Sequence, residues 1–86
     1  MKQGHLINKI NRLIPKANAV PLSEFYDNDT YKGIWFKGSG NIYKDQLIFE
    51  SCGYNDYIHP ELEKILDDAG WYWEPYDMGT LLAYEN

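Results

Sequence analysis

The apolar residues change their spacing along this chain, and that change narrows the folds open to it. Leu6, Ile7, Ile10, Leu13 and Ile14 recur at helical intervals, giving one buried stripe over residues 4–14. Pro15 ends it, because proline has no N–H to continue the turn. Tyr31–Lys37 and Gln46–Ser51 are apolar runs with β-branched and aromatic centres, separated by the breaker Gly38-Ser39-Gly40-Asn41. Ile42 and Tyr43 extend the second run or form a short strand of their own. Helical spacing returns in Leu62, Ile65, Leu66 and Ala69, with Pro60 suited to the first turn and Gly70 to the C-terminal stop. Trp71–Glu74 and Thr80–Tyr84 then form two strands around a loop, Pro75-Tyr76-Asp77-Met78-Gly79, whose glycine is free to take a positive φ. The predicted order is α-β-β-α-β-β. This is an α+β fold with a mainly antiparallel sheet packed by two helices.

Eighty-six residues make one domain, 1–86. Residues 17–30 are expected to be linker-like, with an extended Ala17–Pro21, one helical turn at Ser23–Tyr26, and turn chemistry at Asp27–Thr30. A core this small is modest, but 44% hydrophobic and 16% aromatic residues argue against disorder.

Alternation in the last two strands sorts their side chains. With Trp71 and Trp73 toward the core, Tyr72 and Glu74 face outward. On the partner strand Thr80, Leu82 and Tyr84 share one face and Leu81, Ala83 and Glu85 the other. Glu85 marks its own face as the outward one, at least at the end.

No motif specifies a reaction. The two histidines, His5 and His59, are far apart, and no metal-ligand spacing occurs. Asp56, His59 and Glu61 with Tyr54 and Tyr57 are the least remote candidates for acid–base or metal chemistry, but His59 before Pro60 suits a helix N-cap region. Cys52 follows a strand and lacks an identifiable base, so it fits a packing role. Gly38-Ser39-Gly40-Asn41 lacks the Lys-Ser/Thr and following helix of a phosphate loop. The expectation is therefore no enzyme, no cofactor and no metal.

A single cysteine excludes an internal disulfide and suits a reducing, cytoplasmic setting, in a bacterial or infected host cell. The sequon Asn28-Asp29-Thr30 then has no glycosylation machinery to meet. There is no continuous apolar h-region of a signal peptide, and no window nears the ~20 apolar residues of a membrane helix.

Charge carries the functional reading. Residues 1–44 hold seven Lys or Arg against three acids, and residues 45–86 hold one against ten, so the halves carry about +4 and about −9 within a net −5. Lys2, His5, Lys9, Arg12 and Lys16 fall within about 80° of arc on the first helix. That strip is a solvated flank or an internal partner for the acids, and phosphate tracking is the remoter alternative. Asp67 and Asp68 sit in the last turn of the second helix, where the dipole disfavours acids by ~0.3–1 kcal/mol each. Together with Tyr72, Glu74, Tyr76 and Asp77 around the final hairpin, they form the candidate partner-binding set.

An acidic, tyrosine-bearing surface suits a basic protein site and repels nucleic acid. The expectation is a small non-enzymatic binding protein that inhibits a basic, nucleic-acid-handling partner. In size and general character the chain resembles small inhibitors encoded by phages and mobile elements, anti-CRISPR proteins among them, and the immunity proteins of nuclease toxins. That resemblance rests on no motif and assigns no residue. The alternative is a homodimeric structural or regulatory module joined through an exposed strand. A small metal-dependent or Cys/His enzyme ranks below both.

Overall fold

In the computed structural model, which describes residues 1–86, helix α1 spans Gln3–Leu13 and buries Leu6 and Ile10 completely. Ile14 follows them into the core, and Pro15 opens a single 3-10 turn, Pro15–Ala17. The chain then turns back through Asn18, whose left-handed φ of 46° suits asparagine.

The stretch expected as linker-like contains two elements of the fold. Strand β1 (Ala19–Pro21) is an edge of the main sheet, and helix α2 (Leu22–Tyr26) follows without a break. β1 is held at both sides. It pairs with strand β2 (Ile34–Phe36) on one. On the other, the Asn11 amide of α1 accepts from the Ala19 N–H at 2.8 Å and donates to the Ala19 carbonyl at 2.9 Å. One side chain thereby stands in for a missing neighbouring strand.

Four antiparallel strands form the main sheet in the order β1-β2-β8-β7, with β7 at Trp71–Asp77 and β8 at Thr80–Glu85. Two small hairpins lie outside it. β3 (Ile42–Tyr43) pairs with β4 (Gln46–Leu47), and β5 (Phe49–Ser51) pairs with β6 (Asp56–Ile58). The single strand expected over Gln46–Ser51 is thus split at Ile48. That residue is fully buried, and its peptide bonds to Asn41 and His59 rather than to a continuous ladder. β6 has no counterpart in the predicted element order. Lys44 and Asp45 both take left-handed φ, 50° and 65°, in the two-residue β3–β4 turn.

Helix α3 (Pro60–Asp68) and α1 cover one face of the sheet. Leu6, Ile10, Leu62 and Leu66 meet Ile34, Phe36, Trp71, Leu81 and Ala83 in one apolar cluster. Gly38-Ser39-Gly40-Asn41 is a joint between layers. The buried Ser39 hydroxyl donates to the Phe36 carbonyl and accepts from the Leu81 N–H at 3.1 Å, and Asn41 donates to the Lys16 carbonyl. A Cβ on Gly38 would fall 1.9 Å from that same Lys16 oxygen, so only glycine fits. The architecture is α+β, helices with antiparallel sheets, in the element order α-β-α-β-β-β-β-β-α-β-β.

Candidate functional site

The sheet's second face is the candidate site. Register sets its rows: Val20, Trp35, Leu82 and Glu74 lie side by side across the four strands, with Tyr84 and Tyr72 in the next row. Trp71 is buried, Trp73 is half-buried against the core, and Tyr72 and Glu74 are exposed, as alternation requires. The face with Leu81 and Ala83 is the core face, however, contrary to the outward assignment drawn from Glu85. Both residues are fully buried, and Glu85 is exposed only because it lies at the strand end opposite Trp71. Leu82 and Tyr84 therefore belong to the outer face.

A bulge shapes the end of that face. Pro75 pairs with Leu81 and Asp77 with Thr80, leaving Tyr76 as the extra residue. Its ring meets Phe25 of α2 edge-on at 4.9 Å. The final turn is only Met78-Gly79, and Gly79 does not take a positive φ. The Asp77 carboxylate instead accepts from the Gly79 N–H at 3.0 Å and holds the turn.

Helix α2 lies over part of the face. Phe25 packs on Trp35 at 5.1 Å and on Tyr26 at 4.9 Å, Tyr26 stacks on Tyr31 at 4.2 Å, and Tyr72 leans on Tyr84 at 5.6 Å. Leu82 is only 2% exposed beneath these rings. Tyr72, Tyr76, Tyr26 and Tyr31 remain open, at 43, 55, 36 and 45% exposure. This is a continuous apolar and phenolic surface, and such surfaces mark interaction sites.

Glu74 is the acid within it. Its carboxylate accepts no hydrogen bond and has no cation within 4 Å; the two ion pairs of the molecule are Lys44–Glu61 and Lys64–Asp68. Burial, more than the nearby Tyr26 and Glu74, lifts the Tyr84 phenol above its ordinary range. Lys44, at the surface, is raised by its hydrogen bond to Glu61 and by that carboxylate's charge.

The structure divides the sequence-based site set. Tyr72, Glu74 and Tyr76 come together on the outer face, and Asp77 closes the turn beside them. Asp67 and Asp68 lie on the exposed side of α3, in the opposite layer, and Asp68 is paired with Lys64 at 3.0 Å. Five aromatic residues of the face were not singled out from sequence: Phe25, Tyr26, Tyr31, Trp35 and Tyr84. Only Phe25 and Tyr26 lie in the segment assigned to a linker, where two adjacent rings were the available signal; the other three lie in predicted strands.

The basic strip of α1 makes no ion pair with the acidic half. Lys2, His5, Arg12 and Lys16 are exposed and Lys9 partly so.

The candidate reactive side chains each have a local hydrogen-bond partner. His59 is the N-cap of α3, 2% exposed. Its Nδ1 accepts from the Glu61 N–H and its Nε2 donates to the Tyr43 carbonyl, both at 3.1 Å, so both ring nitrogens are occupied. Asp56 accepts from the Ser51 hydroxyl across β5–β6. Cys52 is exposed, contrary to the packing role expected of it, and its thiol donates to the Asn55 carbonyl at 3.2 Å. No group of three His, Cys, Asp or Glu side chains converges as a metal site would require. No helix is long and apolar enough to cross a membrane. Comparison with protein-family models, with curated proteins and with solved structures yields no match to this chain.

Proposed function

We propose that this chain is a non-enzymatic binding protein that docks through the outer sheet face onto a basic surface of another protein. The observation that carries this reading is the exposed strip Tyr72, Glu74 and Tyr76 on an aromatic bed, with a carboxylate that has no partner inside the molecule. Tyrosine anchors supply contact area at low conformational cost, and an acid among them selects positive charge. The partner class is a nucleic-acid-handling protein, whose phosphate-binding surface has that sign. Occupying it excludes nucleic acid, so the outcome is inhibition in the cytoplasm of a bacterial or infected host cell.

The net charge of −5 supports the same sign of partner. So does the lack of ion pairs between the α1 strip and the acidic half, which leaves the acids available. The test is capture of a partner by the intact chain from its source cells. A complex that forms at low salt, dissociates at high salt, and is lost in the Tyr72→Ala, Tyr76→Ala double variant supports the reading. Undiminished capture by that variant refutes it.

A second reading draws on the sheet edges. β1 is closed by Asn11, whereas β7 has no neighbour on its outer side. The Asn86 N–H to Gly70 carbonyl bond sets the hairpin phase, so Trp71, Trp73 and Pro75 turn their peptide groups to the open edge. Pairing of two copies there would give a homodimer. Pro75 offers no N–H and the Tyr76 bulge breaks the ladder, so the usable edge is short. Light scattering at high concentration distinguishes this reading, which requires a dimer.

A further inference from the structure

We infer that Glu74 is the seat of a single arginine side chain presented by the partner, with the guanidinium stacked on the flanking Tyr72 ring. This rests on the docking reading of the outer face and names what the face recognises. Three features make the seat. Tyr72 and Tyr76 flank Glu74 on one strand, with Tyr72 two residues away, a strand rise of about 6.6 Å. Both rings are braced from behind, Tyr72 by Tyr84 at 5.6 Å and Tyr76 by Phe25 at 4.9 Å, so little ordering remains to be done on binding. Beside Glu74 in its row lies the buried Leu82, an apolar neighbour that lowers the local dielectric and strengthens an ion pair.

The carboxylate also lacks any internal competitor. Lys2 and Lys32 rim the depression at the Tyr72–Tyr84 end of the face, yet no cation of the chain comes within 4 Å of Glu74. In the same row the fold already uses this chemistry once: the Lys37 ammonium lies 5.6 Å from the centre of the Trp35 ring.

Arginine fits better than lysine for geometric reasons. A planar guanidinium stacks on phenol rings while its edge donates two parallel hydrogen bonds to one carboxylate. An ammonium makes a point contact and holds its water more tightly. Nucleic acid is disfavoured, because bases stacked on these tyrosines would bring their phosphates to Glu74.

The experiment titrates the isotope-labelled full chain with an arginine–glycine repeat peptide and with a lysine–glycine peptide of equal length and charge. The arginine peptide is expected to bind at least about fivefold more tightly and to move the Tyr72, Glu74 and Tyr76 side-chain signals. Glu74→Gln should weaken it by about tenfold, with melting unchanged. Equal affinity for the two peptides, shifts centred on Asp67 and Asp68, or stronger response of the same tyrosines to a single-stranded oligonucleotide would each overturn the inference. Partner capture separates this failure from that of the docking reading. Loss of capture in Tyr72→Ala, Tyr76→Ala but not in Glu74→Gln would retain the docking face and remove the arginine seat. Capture that survives all these changes would remove both.

Discussion

The two faces of the main sheet use the same strands and serve opposite ends. On the core face Ile34, Phe36, Leu81 and Ala83 are sealed by two amphipathic helices. On the outer face the cover is a helix of five residues, Leu22–Tyr26, which shields Leu82 and leaves a tyrosine strip open. The core face is aliphatic-rich, and the exposed part of the outer face is phenolic with one carboxylate. Phenols tolerate water at one end and apolar contact along the ring, so they remain soluble while ready for a partner. Where cover is complete, the residues explain stability; where it stops lies the proposed docking strip.

The widest break in that comparison comes from truncating each face. Phe36→Ala should cost about 3–5 kcal/mol and leave this small domain largely unfolded in a urea or thermal melt. Tyr76→Ala should cost about 1 kcal/mol or less, since half its surface is already wet. Comparable losses at the two positions would mean that the outer face is a second core. At the boundary of the core, His59→Ala removes an N-cap acceptor and leaves the Tyr43 carbonyl without its donor. A loss of about 1–3 kcal/mol in chemical denaturation is expected, and a smaller effect would indicate that water substitutes there.

Asp67→Lys is expected to act in the opposite direction. It replaces an acid at the α3 C-terminus by a base and relieves repulsion from Glu63, so stability should rise by about 0.5–1 kcal/mol. A loss would show that Asp67 has a structural partner. The smallest effect concerns alkaline pH. The Tyr84 phenol is raised in the fold, chiefly by burial. Its stabilising contribution is whole below its unfolded pKa of about 10 and is lost as pH climbs through the higher folded value. Melting temperature should therefore fall less between about pH 9 and about pH 11 in Tyr84→Phe than in the parent chain. An identical fall would place the alkaline loss elsewhere, with the surface Lys44–Glu61 pair the next group to examine.

Much of the fold was legible because periodicity reports burial. Both long helices, the Pro15 stop, the Gly70 terminator with its φ of 79°, and the last hairpin follow from local patterns. The split of Gln46–Ser51 was not legible, since an apolar run looks the same whether it forms one strand or two strands of different hairpins. β1 and α2 were legible only as an extended stretch and one helical turn within a linker, for a related reason. Three and five residues carry too little pattern, and they are held by distant groups, Asn11 and Gly33. Gly33 takes a φ of 144°, and a Cβ there would meet the Ala83 carbonyl at 2.7 Å, a constraint that exists only once β8 is in place.

The candidate site shows the same division. Alternation alone put Tyr72 and Glu74 outside and Trp71 and Trp73 inside, because each strand residue's side depends only on its neighbours. Which face of β8 was the core face required the pairing with β2, and Glu85 misled because strand ends are wet on either face. The separation of Asp67 and Asp68 from the tyrosines, the bracing of Tyr72 and Tyr76, and the lack of a cation at Glu74 were likewise set by tertiary structure. Sequence by itself determined the long elements and the net charge, both sums of local chemistry. Only the tertiary structure decided which charges and rings share a surface, because that depends on pairing between residues distant along the chain.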